Sequence, residues 1–348
     1  MKKRHMNRAN PHSNACTIGY FNCAQRWLLA FFCILFVFNP VVAFAKEQGL
    51  VRIAISTSPL SAPFIIAHEQ GYFNELGVDV DIKQVKGGHL ALDMVLAGSA
   101  DIATSSEAVV MFNSFKRNDF SLFCTFVTSD NDVKILARKD SGIKKIEDLK
   151  GKNVGTILGA SAHFFLSHTL LMNGVAEKDV HISAIKPEEA KQALDEHKLD
   201  AVVTWEPYAY LAHKYLGDRV VLVEHEQVYI ETFNAITRKD YANKNLLKLG
   251  LITKVLIKAT QFINANPEQT QQIVAKALHK DLDVVKNSWK DFSFSVGLSQ
   301  WLLTSMETEA RWAIEHGFLT AKEMPDYNDF INTGPLKNTD PKRITIYN

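Results

Sequence analysis

The chain has 348 residues, with 39 basic and 38 acidic side chains and a formal net charge of +1. Its first 45 residues hold five of the basic residues (Lys2, Lys3, Arg4, Arg8, Arg26) and no acid, which leaves 34 basic against 38 acidic in the rest, a net charge of −4. That balance excludes a nucleic-acid partner, which needs a basic face, and the remaining length is enough for two cores.

The basic start runs into an apolar stretch, Trp27–Phe38, broken by Asn39 and Pro40 and followed by Ala43-Phe44-Ala45. A basic lead, an apolar core of 12 residues and a small-x-small end form a secretory signal peptide, with cleavage expected after Ala45. The core is short for a spanning helix, which wants about 20 apolar residues. Phe31 and Phe32 precede Cys33, so no lipid anchor is read there, and the mature protein is expected free in the periplasm. Cys16, Cys23 and Cys33 leave with the signal. Cys124 remains alone, in the apolar run Leu122–Phe126, and reads as a buried structural thiol.

Beyond the signal, short β-type runs alternate with helical patterns. Strands are expected at 51–55, 78–85, 102–104 and 122–127, with helices at 63–70, 90–97 and 107–117 between them. The pattern restarts with strands at 153–156, 180–185, 201–204 and 220–223 and helices at 162–172, 187–196 and 207–216. From about Leu246 the chain reads as helical, at 246–265, 267–278, 282–289 and 300–317, and the last 25 residues as irregular. Alternation of this kind predicts α/β architecture, with mixed, mostly parallel sheets flanked by helices.

Internal echoes point to two similar halves. Ser61-Ala62-Pro63-Phe64-Ile65 recurs as Ser161-Ala162-His163-Phe164-Phe165, each after a strand and each with serine placed as an N-cap. Ala100-Asp101-Ile102-Ala103-Thr104 is echoed by Leu199-Asp200-Ala201-Val202-Val203-Thr204. Ile135–Asp140 resembles Ala235–Asp240, and the two read as extended segments crossing between lobes. The expected division is a signal peptide at 1–45, a first lobe at 46–137, a second at 138–236, and completion of the first lobe by the helical part, 237–348.

These residues resemble a known family. Ile55-Ser-Thr-Ser-Pro59, Glu69-Gln-Gly-Tyr-Phe73, Leu76-Gly-Val-Asp-Val80, Gly87-Gly88, Leu96–Ala103, Ile146–Gly155, Ser161-Ala162-His163 and Trp205-Glu206-Pro207-Tyr208 are similar to the periplasmic substrate-binding proteins of nitrate, sulfonate and taurine ABC transporters, a family that also holds binders of thiamine pyrimidine precursors. The resemblance implies a two-lobed periplasmic binding protein of type II character, a hinge of two crossing segments, and a cleft at the C-terminal ends of the strands.

On that layout the helix starts at Ser61/Ala62 and at Gly159, Ser161 and Ala162 would meet across the cleft as anion sites. His163 lies in the first turn of the second helix and reads as either a contact or an exposed helix-surface histidine. Trp205 would clamp a ligand, and Glu206 would accept from an amine or stand solvated. Ser56, Thr57, Ser58 and Phe64, Gly87 and Gly88, and Ser105 and Ser106 would line the mouth. Ser129, Asp130 and Glu231 lie beside the expected hinge. No metal, cofactor or catalytic residue is read: there is no G-x-S-x-G elbow, Walker A loop or H-E-x-x-H.

The function this implies is capture of a small organic anion or zwitterion, sulfonate-, taurine- or nitrate-like, by lobe closure. A monomer would deliver it to an ABC permease with its ATPase. Alternatives are a binder of a thiamine pyrimidine precursor, a pyrimidine-precursor synthase-like enzyme, and a periplasmic ligand sensor. N-terminal sequencing of the exported protein should begin at Lys46; a start at Met1 or Met6 would mean the leader is retained.

Overall fold

The computed structural model describes residues 49–226, 229–320 and 323–347; the signal-peptide reading at 1–45 lies outside the described residues. The strands in chain order are β1 (Val51–Ser56), β2 (Val80–Val85), β3 (Ile102–Ser106), β4 (Phe120–Ser129), β5 (Val133–Arg138), β6 (Asn153–Thr156), β7 (His181–Ala184), β8 (Ala201–Trp205), β9 (Val220–Leu222), β10 (Glu231–Arg238), β11 (Phe292–Ser299) and β12 (Ile344–Thr345). They form a seven-stranded sheet ordered β12-β11-β4-β10-β3-β1-β2 and a five-stranded sheet ordered β7-β6-β8-β5-β9.

The two sheets share a plan. In each, three parallel strands lie in the order second, first, third: β2-β1-β3 in one and β7-β6-β8 in the other. An antiparallel strand follows in each, β10 or β5, and then β4 or β9. Parallel and antiparallel neighbours are equally common, so the parallel share is smaller than the alternation predicts. The antiparallel additions are the strands that carry the chain from one sheet to the other.

The echoes in sequence occupy equivalent places. Asp101 accepts from the Arg52 amide at 2.9 Å, and its own amide donates to the Arg52 carbonyl at 2.7 Å. Asp200 repeats this on Asn153, at 2.9 and 2.8 Å. Each aspartate thus clips the start of the third strand to the start of the first. The 135–140 and 235–240 segments, in turn, are β5 and β10 continuing past their ends.

Those strands move the crossings earlier than the expected boundaries at 137/138 and 236/237. All of β5 pairs within the smaller sheet and all of β10 within the larger, so the chain crosses between β4 and β5 and again between β9 and β10. Both segments were expected as bridges, but their apolar residues pair on both sides. The tail is also less helical than expected. Phe292-Ser-Phe294-Ser-Val296-Gly-Leu298 alternates with period two, as a half-buried strand must, and β11 pairs antiparallel with β4.

Apolar packing explains why the tail returns to the first sheet. β4 is buried along nearly its whole length, and the Leu246–Ala265 helix packs beside it with Leu249, Ile252, Val255 and Leu256 inward. Phe64 is fully buried, edge-on to Phe126 at 5.2 Å, and Phe126 is edge-on to Phe233 at 6.0 Å. Burying one such ring is worth about 1.5–3 kcal/mol. Cys124 lies buried in β4, as its apolar run predicts. Among the described residues no helix is long and apolar enough to cross a membrane.

Gly88 shows how closely the helix after β2 seats on β3. A Cβ there would lie 2.6 Å from the Ser105 hydroxyl oxygen and 2.8 Å from the Ser105 Cα. A backbone neighbour cannot swing aside, so Gly88→Ala should cost about 1–3 kcal/mol. The loss would appear as a lower urea midpoint at unchanged slope.

Candidate functional site

Both crossings meet at the C-terminal end of β4 and the start of β10, and a narrow crevice opens there. Ser129, Asp130, Asp132, Val133, Phe165, Tyr229 and Glu231 line it, closed on one another so tightly that no water-sized sphere fits between them. The register sets its walls: Glu231 pairs with Ser129 across β10 and β4, and Val133 pairs with Trp205 across β5 and β8.

Buried carboxyls dominate the surroundings. Glu107 begins the helix after β3 and is fully buried. It accepts from the Thr232 amide at 2.6 Å, the Thr232 hydroxyl at 2.8 Å and the Tyr229 hydroxyl. Glu309, on the Gln300–Glu315 helix, is a neighbour of Glu107, whose charge raises its carboxyl further, and it accepts from the Ser305 hydroxyl at 3.3 Å. Glu231 is a neighbour of Asp132, whose charge adds to the rise of the Glu231 carboxyl. Glu206 accepts from the Tyr210 amide at 3.0 Å and from Asn287 Nδ2 at 3.2 Å. Burial pushes the carboxyls of Glu107, Glu206, Glu231 and Glu309 above their ordinary range. Asp132 is pushed up to about 8, first by burial and then by the charge of Glu206.

One buried cation stands nearby. Lys134 pairs with Asp291 at 2.7 Å, with both side chains about nine-tenths buried. The pair joins β5 of the smaller sheet to the loop before β11 of the larger. Further contacts bridge the two halves on the same flank: Tyr210 donates to Asp283 at 2.8 Å, and Lys214 pairs with the same carboxylate. On the opposite flank His163 stands edge-on between Trp312 and Phe318, each 5.2 Å away, and Glu177 meets His163 at 3.3 Å and His316 at 3.2 Å.

Several expected site residues lie elsewhere. Phe64 is core. Ser56 and Ser61 are buried and share a hydroxyl network with Thr104, at 3.2 and 3.1 Å. Ser61 therefore does not cap its helix, and Ser161 is already the first helical residue, after Ala160. Ala162 is fully buried in the core. His163 is buried, not an exposed helix-surface histidine, because Trp312 and Phe318 cover it. Gly159 (φ +69°) donates its amide to His163 Nδ1 at 3.4 Å, and a Cβ on it would stand 3.3 Å from the Phe318 ring. The helix start favoured as an anion site is therefore covered by aromatic side chains.

The others divide by distance from the crevice. Thr57, Ser58, Gly87 and Gly88 are half-buried beyond β1 and β2, with Ser58 capping the turn at Leu60, and Ser105 and Ser106 are buried at the end of β3. Trp205 is half-buried beside Val133. Glu206 is buried and bonded, not a solvated helix-start acid. Ser129, Asp130 and Glu231 do line the crevice.

Glu107, Lys134, Phe165, Asp291, Glu309 and Trp312 were not anticipated. An acid directly after Ser105-Ser106 at a strand end was a usable signal for Glu107. Asp291, Glu309 and Trp312 reach the site only through the packing of the tail, which leaves no local pattern.

A family model described as "NMT1/THI5 like" matches residues 58–270. A Bacillus subtilis protein provisionally named as an aliphatic sulfonates-binding protein is 25% identical over 254 residues, 71% of this chain and 75% of the relative. The crystal structure of the periplasmic aliphatic sulphonate binding protein of Escherichia coli superposes with a TM-score of 0.71 at 19% identity, covering 82% of this chain and 98% of that one. The periplasmic nitrate-binding protein of Synechocystis gives a TM-score of 0.67 at 13% identity, covering 84% and 88%. At these identities the structures establish a shared fold, the periplasmic binding protein fold.

The carboxyls carry a pH consequence. Asp132 moves from an ordinary 3.8 to about 8 on folding, so the folded state holds this proton more tightly than the unfolded chain. Its contribution to stability is complete below the unfolded value and is lost as pH rises through about 8. The Tm of the ligand-free protein should fall between pH 5 and pH 8, and Asp132→Asn, which needs no proton, should flatten that fall. A variant profile parallel to the wild type would remove Asp132 as the cause.

Proposed function

The chain belongs to the NMT1/THI5-like family, and from that premise we propose that it is a solute-binding protein of an ABC importer. It takes up a small polar molecule between its two halves, closes over it, and presents the closed form to a membrane permease with its ATPase. The observation that carries this reading is the crevice at the two crossings. Buried carboxyl oxygens line it, and contacts between the two halves bridge both of its flanks. Closure must be favoured by contacts the ligand makes only in the closed state. Groups gathered from both crossings meet that requirement, because any relative movement of the halves changes their spacing.

The names of relatives support the reading. Most are named as binding proteins, two of them for aliphatic sulfonates, one is named for thiamine biosynthesis, and the fold neighbours include a nitrate binder. The basic-apolar-small leader supports a periplasmic site of action. An enzyme is disfavoured by the state of Cys124, which is fully buried in β4 with its thiol pushed above the ordinary range by burial. Such a thiol is a poor nucleophile.

The test is a set of thermal melts of the mature protein with taurine, alkanesulfonates, nitrate, bicarbonate, thiamine pyrimidine precursors and amino acids. A ligand at about 100 times its dissociation constant adds roughly 2.7 kcal/mol, enough to raise Tm by several degrees. At least one member should do so and also compact the protein in small-angle scattering. No shift with any of them, together with no co-purifying small molecule by mass spectrometry, would sink the reading.

A further inference from the structure

On the flank opposite Lys134 the two halves meet through one carboxylate and two histidines. Glu177 lies in the turn before β7, and His163 and Ser167 lie on the Ser161–Met172 helix, so all three belong to the smaller-sheet half. Trp312, His316 and Phe318 come from the Gln300–Glu315 helix and the residues just after it, in the larger-sheet half. Glu177 Oε1 stands 3.3 Å from His163 Nε2, and Glu177 Oε2 stands 3.2 Å from His316 Nε2 and accepts from the Ser167 hydroxyl.

The second nitrogen of each ring fixes its protonation, because the hydrogen-bond partners say whether it donates or accepts. His163 Nδ1 accepts from the Gly159 amide at 3.4 Å, so Nε2 carries the proton and donates to Glu177. A neutral ring does both. His316 is placed differently: its Nδ1 faces the Trp312 carbonyl oxygen at 2.9 Å and its Nε2 faces Glu177 Oε2. Burial alone would raise the Glu177 carboxyl, but the hydrogen bonds from His163 and Ser167 outweigh it and hold the group below its ordinary range. Glu177 is therefore ionised, and both partners of His316 are acceptors. A neutral imidazole would turn a lone pair on one of those oxygens, and only imidazolium donates to both. His316 also caps the C-terminus of its helix, where the helix dipole favours a cation.

The surroundings leave this charge to one partner. Among the described residues the titratable groups facing His316 are Glu177 and His163, the latter with its ring centre 6.5 Å away, while the Trp312 ring packs against it at 5.3 Å. The His316 side chain is 31% exposed, so its proton can exchange with water without unfolding.

We propose that His316 is a proton-operated latch: as imidazolium it ties the tail of the larger-sheet half to Glu177 of the smaller-sheet half, and its deprotonation loosens that flank and lets the halves part. The latch rests on the capture reading, which supplies the opening movement. The closed arrangement holds the proton through Glu177 and the parted one does not. Closure is therefore favoured at low pH and is lost as pH rises through the range where histidines change charge, about 5 to 8.

The experiment compares the ligand-free mature protein with His316→Gln, which cannot carry the charge, and His316→Lys, which carries it throughout. Small-angle scattering from about pH 5 to about pH 8 reads the opening, and nitrogen-15 spectra of histidine-labelled protein read the rings. The His316 signals are those missing from the His316→Gln spectrum. Both of its ring nitrogens should be protonated where the wild type is compact, and one should lose its proton over the pH range in which the radius of gyration rises. His316→Gln should be as expanded at low pH as the wild type is at high pH, and His316→Lys should lose the rise. Asp132 also gives up a proton as pH rises, but it is intact in all three proteins, so the difference between them isolates His316. If a variant fails to fold, the wild-type ring spectra and scattering decide the matter. A neutral His316 ring in the compact protein, a wild-type radius of gyration that does not change with pH, or a variant that keeps the wild-type rise overturns the proposal. A solute that still raises the melt would then leave capture standing, whereas pH-dependent opening with no solute bound would keep the latch and sink capture.

Discussion

Each of the two sheets is completed by a strand that arrives from the other. β5 follows a strand of the larger sheet and becomes an inner strand of the smaller; β10 follows a strand of the smaller sheet and becomes an inner strand of the larger. Neither can leave without breaking pairings on both of its sides, so the β4–β5 and β9–β10 connections link the two halves. The location of the crevice follows from this, because the crossings converge where β4 ends and β10 begins.

The same constraint makes the acid cluster tolerable. Bare carboxylates at this depth would each demand several kcal/mol of compensation. Here they are offset by hydrogen bonds from Thr232, Tyr229, Ser305, the Tyr210 amide and Asn287. Burial, aided by neighbouring acids, raises Glu107, Asp132, Glu231 and Glu309 toward the neutral form and lowers the net charge further. Donors and acceptors come from both halves, and the Lys134–Asp291 pair spans them. The polar network draws on both halves, and Asp132 Oδ1, Glu231 Oε2 and Glu309 Oε2 still find no hydrogen-bond donor in it.

How much was readable in advance depends on where each signal sits along the chain. Strand–helix alternation and the echoes around Asp101 and Asp200 revealed the duplicated plan, because those residues do the same local work in each half. The segments at 135–140 and 235–240 were recognised as related, but pairing on both sides is a tertiary fact and set the crossings some residues earlier. β11 was visible in its period of two and was obscured by the helices around it. Ser129, Asp130 and Glu231, read from the sequence as lying beside the hinge, line the crevice. The helix start at Ser161 was favoured on its backbone geometry, and what covers it, Trp312 and Phe318, comes from a helix and loop more than 140 residues later.

β4 runs Phe-Ser-Leu-Phe-Cys-Thr-Phe-Val-Thr-Ser, the longest strand among the described residues and buried along nearly its whole length, and its neighbours are β10 and β11. During synthesis it emerges well before either, with the whole of the smaller sheet between. Until Glu231–Arg238 and Phe292–Ser299 exist, this strand is a two-sided adhesive edge with nothing of its own chain to cover it. The larger sheet therefore closes last and slowly, because its contacts join distant parts of the sequence, while the smaller sheet, drawn from one continuous stretch, can form alone. Residues 120–129 are thus the stretch of the larger sheet that waits longest for its partners as the chain is made.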